Sequence, residues 1–183
     1  NLFFAGRNIS VTHAALSATR VMATCATLGQ AVGTAAAIAL RDNLDPRGVY
    51  EQRTYELQQT LMDDDCYLPW QTREIPLVAR QARLSASEGD PEPLRNGLDR
   101  PVGEDDNGWF GAPGSWIEYR FRQPTRLGAT RIVFDSDLNR PEQNMPANYP
   151  LRREPVAVPR TLVRRFRLEA ERIAGDWEAV LEV

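Results

Sequence analysis

The stretch from Val21 to Leu40 carries no charged residue, and it limits the possible folds more than anything else in the chain. A run of this length crosses a bilayer when helical, so a membrane span has to be weighed first. Its composition argues against one, because Ala, Gly, Thr and Gln dominate where Leu, Ile and Phe would be expected. A secretory signal is the second possibility, with Arg7 and Arg20 ahead of the run, but the run is too long and too polar for the apolar region of a signal. The remaining reading is an inner helix from Thr19 or Arg20 to Arg41, rich in alanine, with Ser17 or Thr19 available to cap its amino end. Such a helix is packed on most sides. Gly29 and Gly33 lie four apart on one face, and glycine there admits close approach of a backbone or a flat ligand. Tight packing on a sheet and ligand contact both fit.

The residues around this helix suggest an order of elements. Asn1 to Ala5 reads as a short buried strand, and Gly6-Arg7-Asn8 breaks it ahead of a polar passage through Ser10, Thr12 and His13. Asp45-Pro46 is an N-cap followed by proline at the first helical position, which predicts a helix to about Met62 with Tyr50, Leu57 and Leu61 near one face. Asp63-Asp64-Asp65 follows as a solvated turn, since metal sites usually draw ligands from alternating positions or separate segments.

Of the 13 prolines, 12 fall at or beyond Pro69, and long helical periodicity ends there. A boundary is expected over 69–82. Arg83 to Ser87, Trp116 to Phe121, Arg131 to Asp135, Leu162 to Glu169 and Trp177 to Val183 read as strands separated by Pro-, Gly- and Asn-rich loops, with Asn139 to Pro159 a long loop. That pattern predicts an antiparallel β-sandwich of jelly-roll type, cut short at its last strand. The expected division is 1–68, a linker over 69–82, and 83–183.

Charge and cysteine usage exclude several functions. A net charge of -3 gives no broad attraction to nucleic acid or an anionic membrane, and neither partner is expected. All 22 basic residues are arginine, a bias typical of a GC-rich genome, so a lysine nucleophile or Schiff base is ruled out. Cys25 and Cys66 make neither a disulfide framework nor a paired metal motif, and no metal site is expected. Compartment stays open.

Three segments together carry a resemblance. Asn1-Leu2-Phe3-Phe4-Ala5-Gly6-Arg7, then Ala18-Thr19-Arg20-Val21-Met22-Ala23-Thr24-Cys25, then Gly29-Gln30-Ala31-Val32-Gly33-Thr34-Ala35-Ala36-Ala37 resemble the carboxy-terminal flavin-binding signature of the FAD-dependent oxidoreductase family. The resemblance implies an α/β, Rossmann-like FAD-binding portion. A strand would deliver the backbone to the flavin, and a turn would lead into a long helix whose amino end faces the pyrimidine edge and the ribityl chain. Free N–H groups and the positive dipole end at a helix start favour the negative charge that reduced flavin gathers there. By this match Gly6 and Arg7 lie close to FAD, Ser17 and Thr19 belong to the turn, and the backbone of Arg20, Val21 and Met22 supplies the cap. Ser17 stands where the family often has glycine.

His13, the only histidine, is the candidate proton donor or acceptor, with a hydrogen-bonded structural role as the alternative. Arg7 and Arg20 would hold an anionic group of substrate or cofactor, or a carboxylate in the core. No GxGxxG follows a strand in this sequence, so the adenine end of FAD is expected to be held by an amino-terminal portion, on the same or another chain.

Further on, Ser85-Ala86-Ser87, Asn96-Gly97, Asn107-Gly108-Trp109, Trp116-Ile117-Glu118 and Arg131-Ile132-Val133-Phe134 resemble a galactose-binding-like, discoidin-type sandwich. That implies a sugar surface on which Trp109 and Phe110 stack, with Trp116 a further candidate. The functions to be weighed are therefore an oxidoreductase in which flavin accepts a hydride from a small organic or sugar substrate, a carbohydrate- or partner-binding module on a flavoprotein remnant, and a structural subunit completing another chain.

Overall fold

The computed structural model describes residues 1–135, 162–173 and 175–183. They fall into two compact units, Asn1–Arg122 and Gln123–Val183. Among the described residues, helices and small antiparallel sheets together make an α+β arrangement. The loop expected over Asn139 to Pro159 lies outside the described residues.

In the first unit, α1 (His13–Thr19), α2 (Met22–Asp42) and α3 (Pro46–Asp63) come first. α2 ends where Asn43 takes the left-handed conformation, φ 52, which asparagine tolerates better than most side chains. Asp45 then caps α3, its carboxylate accepting the Gly48 N–H at 2.6 Å, with Pro46 at the first turn as the sequence predicts. The short connection makes a helical hairpin whose core is Ala35, Ile38, Ala39 and Val49, with Phe3, Leu44 and Leu57 against it. Arg41 bonds Glu56 at 2.6 Å and Arg53 bonds Asp42 at 2.7 Å across the same pair of helices. The first pair is exposed and the second half-buried, and surface pairs of this kind add little beside the core. Asp63, Asp64 and Asp65 are exposed.

α2 departs from expectation in two ways. It is a separate helix from α1, and only Ala35, Ile38 and Ala39 of it are buried. A side chain added at Gly29 or Gly33 would meet nothing, so neither glycine serves close packing among the described residues. The helix is long and apolar enough to cross a membrane by length and composition, properties it shares with core helices. The strand expected over Asn1 to Ala5 does not form: no ladder is made there, and Leu2 and Phe4 are exposed. A strand exists through the N–H and C=O groups of its neighbours, and no described segment offers them to these residues.

Beyond α3, α4 (Leu77–Gln81) leads into β1 (Arg83–Ala86), which pairs antiparallel with β2 (Ile117–Arg120), Leu84 opposite Tyr119. The passage 69–82, expected to be a linker, lies inside the first compact unit. In the second unit, β3 (Arg167–Ile173) and β4 (Asp176–Glu182) form a hairpin with Leu168 opposite Leu181. Among the described residues the strands make two separate two-stranded sheets, and the expected sandwich is not seen. Among the described residues, Arg131 to Asp135 makes no ladder and is exposed.

Met62 is 1% exposed and Leu40 86% exposed. Met62→Ala is expected to lower unfolding free energy by about 2–5 kcal/mol, and Leu40→Ala to change it by no more than about 0.5 kcal/mol. Urea denaturation of the two variants checks the contrast.

Candidate functional site

Of the three segments that resemble the flavin signature, 18–25 spans the junction between α1 and α2, 1–7 precedes α1 and 29–37 lies within α2. Gly6 sits at φ +87 with open space where a Cβ would stand, so backbone conformation rather than crowding calls for glycine. The Ile9 N–H donates to the Arg7 carbonyl at 2.9 Å, tightening the turn that follows. Thr12 caps α1, its hydroxyl accepting the Ala15 N–H at 3.3 Å. His13 opens that helix and is exposed. Among the described residues, the side chains of Arg7, His13 and Arg20 make no hydrogen bond or ion pair.

Ser17 and Thr19 do not cap α2, contrary to expectation. Both lie within α1, and their hydroxyls donate to the carbonyls of Ala14 (3.4 Å) and Ala15 (3.1 Å). The cap position belongs to Val21, extended at φ -70 and ψ 149. A β-branched residue is comfortable in that conformation but has no oxygen to offer. The junction is locked from the other side: Thr24 donates its hydroxyl to the Ala18 carbonyl at 3.0 Å, and the Cys25 thiol points to the Thr19 carbonyl at 3.6 Å. Two carbonyls left over at the end of α1 are thereby satisfied from the first turn of α2. Nothing in the sequence marks these two residues for that role beyond their small polar side chains.

Arg20 ends α1 rather than beginning α2, so its charge suits the dipole of the helix before it. The first backbone bond of α2 runs from Cys25 N–H to Val21 O at 3.0 Å. The N–H groups of Met22, Ala23 and Thr24 precede it, and the first turn holds no acidic residue. Met22 is 90% exposed. This helix start can accept an electron-rich group, because its donors and its dipole are uncompensated.

The aromatic candidates lie on the loop between Gly108 and Trp116. Trp109 donates its indole N–H to the Glu88 carbonyl at 2.7 Å. Its ring lies close over Gly111, where a Cβ would come within 2.4 Å of it, and Gly89 faces its other edge. Trp109 thus braces the loop. Phe110 is 74% exposed and Trp116 52% exposed, and these are the rings open to a ligand. The Glu88 carboxylate accepts the Ala112 N–H at 2.8 Å and the Ser115 hydroxyl at 2.5 Å. Glu88 went unrecognised in the sequence; the one signal was that a partly buried indole needs an acceptor. Among the described residues, no group of His, Cys, Asp and Glu is arranged to hold a metal ion.

Residues 1–61 match the family model described as FAD dependent oxidoreductase. The match covers the junction and most of α3, and supports an FAD-dependent oxidoreductase portion there. No curated protein and no solved structure matches the chain.

The Ser115 hydroxyl, and after it the Ala112 N–H, hold the Glu88 carboxyl below its ordinary value of 4.5. A lowered folded-state value stabilises the loop above that ordinary value, and the stabilisation is lost as pH falls through the lowered one. With Trp70, Trp116 and Trp177 replaced by phenylalanine, Trp109 emission is expected to stay constant from neutrality to the ordinary carboxyl range and to shift below it. Glu88→Gln should abolish the acid shift while leaving the neutral spectrum in place.

Proposed function

We propose that residues 1–68 form the carboxy-terminal part of the flavin site of an FAD-dependent oxidoreductase, with FAD held against the start of α2. The observation that carries this reading is the uncapped, acid-free start of a 21-residue helix, immediately preceded by the exposed Arg20. That donor set fits an electron-rich ring edge. Gly6, Arg7 and the backbone of Arg20, Val21 and Met22 would hold the pyrimidine edge and ribityl chain, while Ser17 and Thr19 shape the turn from within α1. When bound, FAD supplies acceptance of a hydride from an organic substrate. The chain's own residues orient the ring and give its edge a positive surrounding, and His13 would hold or take up a proton beside it.

The partner in this proposal is an amino-terminal, Rossmann-like portion, on the same or another chain, that binds the adenine end. Leu2, Phe4 and Met22, at 65%, 71% and 90% exposure, are the apolar groups such a portion would cover. Purified together with that portion, the protein is expected to be yellow and to release FAD. A folded, colourless protein that FAD cannot reconstitute overturns the proposal. Met22→Asp separates site from fold: a carboxylate in the first turn suits the helix dipole, so thermal stability should hold or rise, while FAD affinity falls by about tenfold or more, or about 1.4 kcal/mol.

A second reading, recognition of a sugar by the loop carrying Trp109 and Phe110, is favoured by the bracing of that loop on Glu88. Phe110 would stack on the sugar's apolar face, and Trp109 would hold the loop in place. Retention on immobilised glycans by the full chain and its loss in Phe110→Ala support this reading; equal behaviour of the two overturns it.

A further inference from the structure

Between α3 and β1 the chain doubles back along the helix it has just left. The turn Leu68–Gln71 closes with the Gln71 N–H on the Leu68 carbonyl at 3.2 Å, and Trp70 occupies the left-handed region at φ 67, a position that normally favours glycine or asparagine. Residues 72–74 then run beside the last turns of α3. The Gln59 side chain donates to the Thr72 carbonyl at 3.1 Å and accepts the Glu74 N–H at 2.8 Å, pairing with the segment as a strand neighbour would. The Tyr55 hydroxyl donates to the Glu74 carboxylate at 3.0 Å.

Arg73 stands at the centre of this contact, its side chain 11% exposed. It donates to the Asp63 carboxylate at 2.9 Å, the Met62 carbonyl at 2.7 Å and the Asp99 carboxylate at 2.5 Å. Two acceptors belong to the end of α3 and the third lies well beyond it. The Arg73 N–H also donates to the Gly97 carbonyl at 2.8 Å. Gly97 is held at φ +83, and a Cβ there would stand 2.6 Å from the Arg73 carbonyl oxygen, so both conformation and space demand glycine. From the same stretch Arg95 donates to the carbonyls of Ala79 (2.9 Å) and Ala82 (2.7 Å). It thereby closes α4 where β1 begins.

We infer that residues 72–99 are a clamp that makes the end of α3 and the start of β1 one cooperative unit, with Arg73 the positioning residue. The helices that match the oxidoreductase family then depend for their order on residues beyond that match. Arg73 donates to both sides at once, so opening either side strips a mostly buried guanidinium of acceptors, and this couples the two sides. The clamp stands on these contacts alone and does not rest on the flavin reading.

Hydrogen exchange followed by mass spectrometry on the full chain tests it. The last turns of α3 and the amides of β1 are expected to exchange at one common rate. Arg73→Leu should accelerate both by the same factor, at least about tenfold, while the β3–β4 hairpin is unaffected. Gly97→Ala disturbs the same contact from its far side without removing a charge, and should accelerate α3 as well as β1. Acceleration confined to 83–99 in Gly97→Ala, with α3 unchanged, would overturn the clamp even if Arg73→Leu fails to fold. So would distinct exchange rates for α3 and β1 in the unmodified chain.

Discussion

The guanidinium of Arg73 is the point on which the rest of the first unit turns. Burial works against its charge, and the hydrogen bonds to Asp63 and Asp99 more than offset it, so that its pKa is raised. A guanidinium is charged at any ordinary pH, and here it sits on a side chain 11% exposed, between Asp99 at 24% and the more open Asp63 at 65%. Such a group contributes little net stability against an apolar replacement of the same shape, but it tolerates only one arrangement of its acceptors. Its role is geometric: it fixes the carboxy end of α3 against the backbone of Gly97 and thus sets where α4 and β1 begin. The helical hairpin gains a similar definition at its other end from Asp45 and from the left-handed Asn43, which are local devices. Arg73 is a non-local device, joining Asp63 at the end of α3 to Asp99.

Local chemistry was legible in the sequence and non-local chemistry was not. Asp45-Pro46 announced α3 because an N-cap and an N1 proline act through neighbouring backbone. The strands at Arg83 and Trp116 followed from alternation and flanking turn residues. The break at Val21 was not announced, because no proline or glycine marks it; it depends on Thr24 and Cys25 reaching back across the junction. The buried strand expected at Asn1 to Ala5 failed because a layer was inferred from the polarity of a single segment, whereas a layer exists only where a second segment meets it. The placement of Arg73 depended on Asp99, twenty-six residues on, and no periodicity carries that information.

The candidate site divides along the same line. The open start of α2 follows from composition, since Met22, Ala23 and Thr24 place no carboxylate on the first turn. That Ser17 and Thr19 lie inside α1 required the structure, because either hydroxyl suits a cap equally well on sequence grounds. The aromatic loop repeats the pattern. Trp109 and Phe110 are adjacent and were read as a pair, yet the indole N–H is satisfied by Glu88 while the phenyl ring faces solvent. Neighbours in sequence therefore do different work.

Magnitudes bear on what the helix start is able to do. An exposed helix end favours a nearby negative charge by roughly 0.3–1 kcal/mol, rising to about 2 kcal/mol in a partly buried setting. A cofactor held at micromolar affinity needs about 8 kcal/mol, so in the proposed flavin site the junction at Val21 would not retain FAD unaided, and most of the binding would come from contacts to the rest of the cofactor. What the junction can do is discriminate, since a fixed positive end interacts with a ring edge more strongly as that edge gains negative charge. Interactions that grow along the reaction are the ones that accelerate it. In the proposed flavin site, a contact of weak holding power that strengthens with negative charge would belong at the reacting end of a cofactor anchored elsewhere, and the bare, acid-free first turn of α2 would fit that place.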